Sequence, residues 1–404
     1  MSRFHLIELA DVGKLGRILI ACAGLLGAAS PVVAESELPF SIHGFGTLGA
    51  VRTTSDNVEF VRDISQPRGA RSHWDGRPDS LFGLQGEWQI RPGLEAVVQG
   101  VSRYRYDRSF RPEVAWAYVK YDPSPNLGFR VGRLGTEFFM MADSRLVGYS
   151  YLTVRPPGDF FWYLPFSSID GADISLTEPI GESILRGKLF YGLSTGKIPL
   201  ADKQWDIGGS PMGGGYLDYQ IGGWQLRLGY AAIRFNRNLP INDVLEAYLP
   251  ASTADQTAKF LATDGTRSDY YSLGVVYDRG PLQVQLMLNH VEQGSQAFES
   301  SQAGYVLAGY RFGVLTPYLG YSWVRSDRRG NPPNPVAERI MADSRAHQNT
   351  SILGARWDLA HNIALKAQWD GIRGDASSLF PYRRDQADWS GHMDVFSVTM
   401  DFVF

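Results

Sequence analysis

The sequence predicts an all-β chain, a transmembrane antiparallel barrel of about 16 strands with short turns on one rim and long loops on the other. Three observations predict it. In the closing run Phe396 to Phe404, apolar side chains occupy Phe396, Val398, Met400, Phe402 and Phe404, and polar ones occupy Ser397, Thr399 and Asp401. Such a period of two suits a strand with oil on one side and water on the other. Connections alternate strictly between short and long, which a soluble sandwich does not require. Beyond the first 34 residues no stretch approaches the roughly 18 consecutive apolar residues of a spanning helix, so any membrane crossing is made by strands.

Taken in order, the chain opens with Lys14 and Arg17, an uncharged apolar run Ile18 to Ala29, and the small-residue site Val32-Val33-Ala34. This pattern predicts a secretory signal peptide over 1–34, cut near Ala34, and leaves 35–404 as one barrel domain. Cleavage takes Cys22, the only cysteine, so the mature chain holds no disulfide and no thiolate metal site. The full chain has 39 basic and 42 acidic side chains, and without the leader 36 face 40. That slight acidity argues against a nucleic-acid partner.

Seven short turns follow: Arg91-Pro92-Gly93, Asp122 to Asn126, Glu178 to Gly181, Ile221-Gly222-Gly223, Asp278 to Pro281, Phe312-Gly313-Val314 and Leu359 to Asn362. They alternate with longer connections near 54–78, 107–111, 136–169, 194–213, 236–268, 292–300, 327–347 and 374–392. The intervening strands show one oily face, as in Trp224, Leu226, Leu228 and Tyr230, and one wet face, as in Lys366, Gln368 and Asp370. Lipid cannot satisfy a backbone N–H, so these strands must close on themselves. Trp88, Tyr104, Tyr121 and Tyr310 near strand ends suit interfacial girdles. Asp243 with Glu246, and Ser252 with Asp255, have the spacing of helix capping boxes within loop 236–268.

Ser80-Leu-Phe-Gly-Leu-Gln-Gly-Glu87 and the following Arg91-Pro-Gly-Leu-Glu-Ala-Val-Val-Gln99 resemble the second and third strands of Gram-negative general porins. Tyr118-Val-Lys-Tyr and Asn126-Leu-Gly-Phe-Arg-Val-Gly-Arg133 are similar to that family's next two strands, and the terminal Phe404 resembles its signal to the barrel-assembly machinery. The resemblance implies a sixteen-stranded outer-membrane barrel, usually a homotrimer, that admits ions and small hydrophilic solutes by passive diffusion. It also places Arg133 in the basic pore wall. Departures are visible. Leu81 stands where many porins carry another wall arginine, their acidic constriction-loop signature is absent, and the loop at 107–111 is short for a latch onto a neighbour.

Between the fifth and sixth strands lies 136–169, whose Phe138-Phe139-Met140-Met141, Tyr149, Tyr151, Phe160-Phe161-Trp162-Tyr163 and Phe166 are too apolar for a solvated loop. Folded into the lumen, it would bury these rings against the wall and narrow the pore. Alternation directs Arg103, Arg105, Arg130, Arg186, Lys188, Arg227, Arg311, Arg356 and Lys366 into the lumen, while the loop offers the acids Glu137, Asp143, Asp159 and Asp170 along with Arg145 and Arg155. Acids facing a basic wall would set a transverse field across a permeating solute.

Two channel functions stay open: a general diffusion pore, and a substrate-specific, anion-preferring channel with a saturable site. An outer-membrane barrel enzyme is a third, although the histidines at 43, 73, 290, 347, 361 and 392 stand in no local nucleophile or zinc pattern. No cofactor and no metal are implied. Arg62, Arg68, Arg71 and Arg77 in the first loop, with Arg383-Arg384 in the last, offer contacts to lipopolysaccharide phosphates.

Overall fold

The computed structural model describes residues 39–162, 168–200, 203–327, 330–376, 378, 382–384 and 389–404. The expected signal peptide and its cleavage site at Ala34 lie outside the described residues, as do Tyr163, Phe166 and the side chains of Arg383 and Arg384. Among the described residues, sixteen antiparallel strands form one closed barrel. The first eight are β1 Phe40–Thr53, β2 Leu81–Arg91, β3 Leu94–Arg103, β4 Glu113–Ser124, β5 Leu127–Gly135, β6 Ser168–Ile180, β7 Ser183–Ser194 and β8 Pro211–Ile221. The rest are β9 Trp224–Arg234, β10 Arg267–Arg279, β11 Leu282–Gln293, β12 Ser300–Tyr310, β13 Leu315–Asp327, β14 His347–Ala360, β15 Ile363–Gly374 and β16 His392–Val403.

The seven short turns all fall on one rim. At Gly222 the turn requires a left-handed backbone, φ 56°, which glycine adopts without a Cβ clash. The barrel closes where β1 pairs with β16, Phe45 opposite Val403 through Thr53 opposite Val395. Beyond the last ladder pair, Gly44 and Phe404 exchange two backbone hydrogen bonds of 2.9 Å. The Phe404 ring lies over Gly44 and the Phe402 ring over Gly46, so aromatic faces shield the glycines of the seam. Closure leaves no free edge.

Alternation decides which side chains face out. Phe82, Leu84, Trp88, Trp224, Leu226, Leu228, Phe396 and Val398 are exposed on the outer wall, while Lys366, Gln368, Asp370, Ser397, Thr399 and Asp401 are buried inside. Trp88, Tyr121, Tyr310 and Trp357 are exposed near the strand ends. Tyr104 differs from its expected girdle place: it is buried past the end of β3, under the Arg77 guanidinium at 5.4 Å and beside Phe110 at 5.8 Å. Leu228 sits at the middle of β9, where an arginine would meet the centre of the hydrocarbon band. Leu228→Arg should lower unfolding free energy by about 2–4 kcal/mol in lipid vesicles, read by urea titration, whereas Gln225→Arg on the inner face should change it little.

Helices form at Asn242–Tyr248 and Ala251–Phe260, near the predicted positions. Their capping boxes do not: the N-caps are Ile241 and Pro250, and neither makes a side-chain cap bond. A further helix, Pro335–Ala342, is capped by Asn334, whose side chain accepts from the Ala337 N–H at 3.0 Å. The first long loop folds back over its own barrel. Its strand Val58–Phe60 pairs with Tyr382–Arg384, and Val58, Phe60 and Ala70 pack with Tyr382, Trp389, Met393 and Val395.

Candidate functional site

Residues 136–162 run inside the barrel, and the inward-facing side chains explain why. An ordinary water-filled wall would be polar, yet Leu134, Phe190, Met212, Ala231, Ile233, Tyr270, Met287 and Tyr305 face inward and are buried. They cluster with Phe138, Phe139, Met140, Leu152, Phe160 and Phe161 of the loop. Burying such rings on both sides drives the loop inward, at roughly 25 cal/mol per Å² of apolar surface removed from water. Space is made by small residues. A Cβ at Gly229 would collide with the Phe138 carbonyl, and one at the loop's Gly148 would collide with Asp401 and Thr47.

Polar tethers then hold the far end of the loop. Lys366 Nζ donates to the carbonyls of Gly148 at 2.7 Å and Thr153 at 3.0 Å and pairs with Asp401 at 3.0 Å. Arg356 donates to the Tyr149 and Tyr151 carbonyls, at 2.6 and 3.0 Å. Arg155, itself on the loop, pairs with Asp79 at 2.8 Å and Asp370 at 3.0 Å and donates to Ser397. These loop carbonyls and the Arg155 guanidinium, taken from water, thus meet hydrogen-bonding partners, as buried polar groups require.

The loop's near end carries a charged cluster. Glu137 accepts from Arg130 at 2.7 Å, from Lys188 at 2.6 Å and from the Tyr216 hydroxyl at 3.3 Å. Arg130 also pairs with Asp173, and Arg227 pairs with Asp218 at 2.8 Å. The Tyr216 ring lies under Arg227 at 4.0 Å and near Lys188 at 5.7 Å. Burial opposes ionisation of the Glu137 carboxyl, but Lys188 and Arg130 outweigh it and hold its pKa at about 2. Asp143 is exposed and makes no ion pair among the described residues. Loss of hydration inside the barrel, and then the nearby Glu137 charge, raise its pKa above the ordinary 3.8 against the pull of Arg227.

A second charged group sits where the first long loop meets this one. Arg62 donates to the Arg145 carbonyl at 2.9 Å, and Asp63 pairs with Arg103 at 2.9 Å. Burial opposes ionisation of Asp63, yet Arg103 and Arg145 drive its pKa well below the usual carboxylate range, while burial lowers that of Arg145 to about 10.

The structure separates the sequence-derived residues into groups. Arg130, Lys188 and Arg227 gather about Glu137 and Asp143, Arg186 reaches Thr177 on the neighbouring strand at 3.4 Å, and Arg356 and Lys366 are loop tethers. Arg311 lies at the short-turn rim, paired with Asp278 at 2.8 Å. Arg103 and Arg105 lie at the long-loop rim, paired with Asp63 and Glu113. Arg133 is a correction. It stands three residues after inward Arg130 with no bulge between, so it shares the outer face with exposed Val131. Asp170 is corrected with it: this residue belongs to β6, not the loop, and pairs with Arg133 at 2.7 Å on the outer face. Asp159 points away from the basic wall and accepts from Ser322 and Gln348. The first-loop arginines are also not free: Arg62 is buried against Asp79, Arg68 and Arg71 pair with Glu59, and Arg77 pairs with Asp75. Sequence reasoning placed Arg155 on the inward loop but not as a tether, and it missed Asp79; the pairing of a buried arginine and aspartate carries no local pattern.

A closed sixteen-strand barrel with a loop folded against its inner wall is the porin fold. Among solved structures, the anion-selective porin of Comamonas acidovorans is similar at 16% identity, over 90% of this chain and 99% of that one, with a TM-score of 0.57. Salmonella typhi OmpF, solved in complex with daunomycin, is similar at 14% identity over 90% and 97%, TM-score 0.56. The outer-membrane channel DcaP of Acinetobacter baumannii is similar at 12% identity over 92% and 99%, TM-score 0.52. No protein-family profile matches the chain, and no curated protein sequence is similar to it. At these identities the likeness is one of fold.

Proposed function

We propose that this protein is an outer-membrane porin through which ions and small hydrophilic solutes diffuse passively, with no catalysis. The observation that carries the reading is the placement of Glu137 and Asp143, on a loop held inside the barrel, against Arg130, Lys188 and Arg227 on the wall. A closed barrel with such an interior needs water inside and lipid outside. In this reading the short-turn rim faces the periplasm, and a leader cut near Ala34 delivers the chain. Selectivity follows from pairing. Of the ten cations assigned to the wall, Arg133 faces outward, and all the others but Arg186 pair with a carboxylate among the described residues, which supports a weakly selective pore over a strongly anion-preferring one.

A substrate-specific channel is the second reading, favoured by the Tyr216 ring between two cations, a surface suited to a carboxylate solute. Planar-bilayer recordings on the refolded mature chain separate the two. Ohmic steps with a small reversal potential in a salt gradient are expected, and block by a small carboxylate at low concentration would instead establish the specific channel. No conductance at all would refute both. A homotrimer, lipopolysaccharide contact and recognition of Phe404 by the assembly machinery belong to the same proposal. Because the first long loop folds onto its own barrel, contact between copies has to come from the outer wall.

A further inference from the structure

A polar cleft of about 70 Å³ lies at the long-loop rim, where β3, β5 and β7 end and β4 and β6 begin. Arg103, Arg105, Arg133 and Lys197 line it, together with Tyr106 and a single carboxylate, Glu113. The partners of two of these cations, Asp63 and Asp170, lie outside the lining. Arg103 and Arg105 are only 7% and 6% exposed, yet the Nε–H of each meets no acceptor among the described residues. Lys197 forms no ion pair among the described residues and lies over the Tyr106 ring at 5.6 Å, with Arg105 over the same ring at 5.2 Å.

Buried guanidinium N–H groups without acceptors, beside an unpaired ammonium, are short of negative oxygen. We propose that this cleft binds a small oxyanion, a phosphate or carboxylate group, whose oxygens accept from Arg103 and Arg105 and whose charge is balanced by Lys197. The volume suits the group, since it equals the space of roughly five ordered waters that such an anion would displace. Glu113 competes for Arg105, so the site is tuned below its full strength. The site goes beyond conduction: a rim cleft binds its anion whether or not the barrel passes current.

Calorimetric titration of the refolded protein with inorganic phosphate in neutral detergent at low ionic strength tests it. Saturable binding is expected, weakened about tenfold in Lys197→Gln and tightened about threefold in Glu113→Gln. The opposite signs guard against a variant that merely folds poorly, and retained heat-modifiable gel mobility checks the barrel. No saturable binding in either wild type or Glu113→Gln, or equal affinities in both variants, overturns the proposal. Repeating the titration after preloading with purified lipopolysaccharide assigns the source. Loss of phosphate binding identifies a lipid phosphate as the occupant, and undiminished binding identifies a free solute anion.

Discussion

Lys366→Met is expected to lower the unfolding free energy in lipid vesicles by about 3–5 kcal/mol, read by urea titration. The Lys366 and Asp401 side chains are both 0% exposed and pair at 3.0 Å, so removing the ammonium strands a carboxylate inside the wall. Thr47 at 2.5 Å and Thr399 at 3.3 Å still donate to Asp401, but neither neutralises it. Adding Asp401→Asn to Lys366→Met should therefore restore most of the loss, because the costly species is the lone charge and not the missing contact.

The same substitution frees the loop. Gly148 and Thr153 lose their shared donor, leaving the far end of the loop on Arg155 and Arg356. Larger and noisier single-channel steps are expected, since part of the narrowing segment then leaves the wall. Asp401→Asn in that background should recover stability without quieting the channel. A loss under about 0.5 kcal/mol, with unchanged conductance, would remove Lys366 from the role of tether.

How much of this could be read from the chain follows from how local each signal is. Strand faces, turns and the closing Phe404 are carried by residues two apart or by single glycines, so alternation reads them directly. The aromatic loop was visible for the same reason: Phe138-Phe139-Met140-Met141 is an anomaly wherever it is placed. What holds it is not local. The bonds of Arg155 to Asp79 and Asp370 span 76 and 215 residues, and no spacing rule connects them. Parity explains the error at Arg133, for resemblance placed it in the pore wall although its distance from Arg130 turns it outward. Inward Ala231, Ile233 and Tyr270 were the overlooked sign, since apolar residues on a wet face require something apolar inside the barrel.

The two loop carboxylates Glu137 and Asp143 are pushed in opposite directions, and this yields the second large effect. Glu137, held at about 2 by Lys188 and Arg130, stays ionised through any ordinary pH range. Its pairing stabilises the fold fully above the unfolded carboxyl value near 4.5, and that contribution is lost only as pH falls through about 2. Asp143, raised above 3.8, becomes charged later. Lowering the pH through that window therefore removes one negative charge from the passage while the Glu137 network stands intact. Cation preference, read from reversal potentials in a salt gradient, should fall as pH drops through a midpoint above 3.8, and Asp143→Asn should abolish the step. Glu137→Gln acts differently, since it leaves Lys188 without its acid at every pH. An unbalanced charge about 4 Å from a passing ion is worth about 1 kcal/mol in water, so the anion-to-cation permeability ratio should rise roughly fivefold. The pH step of Asp143 should persist in that variant and move to lower pH, because desolvation still raises its pKa while the added repulsion from Glu137 is gone. A step unchanged by Asp143→Asn, or a Glu137→Gln variant that titrates like wild type, would place the field of this pore elsewhere on its wall.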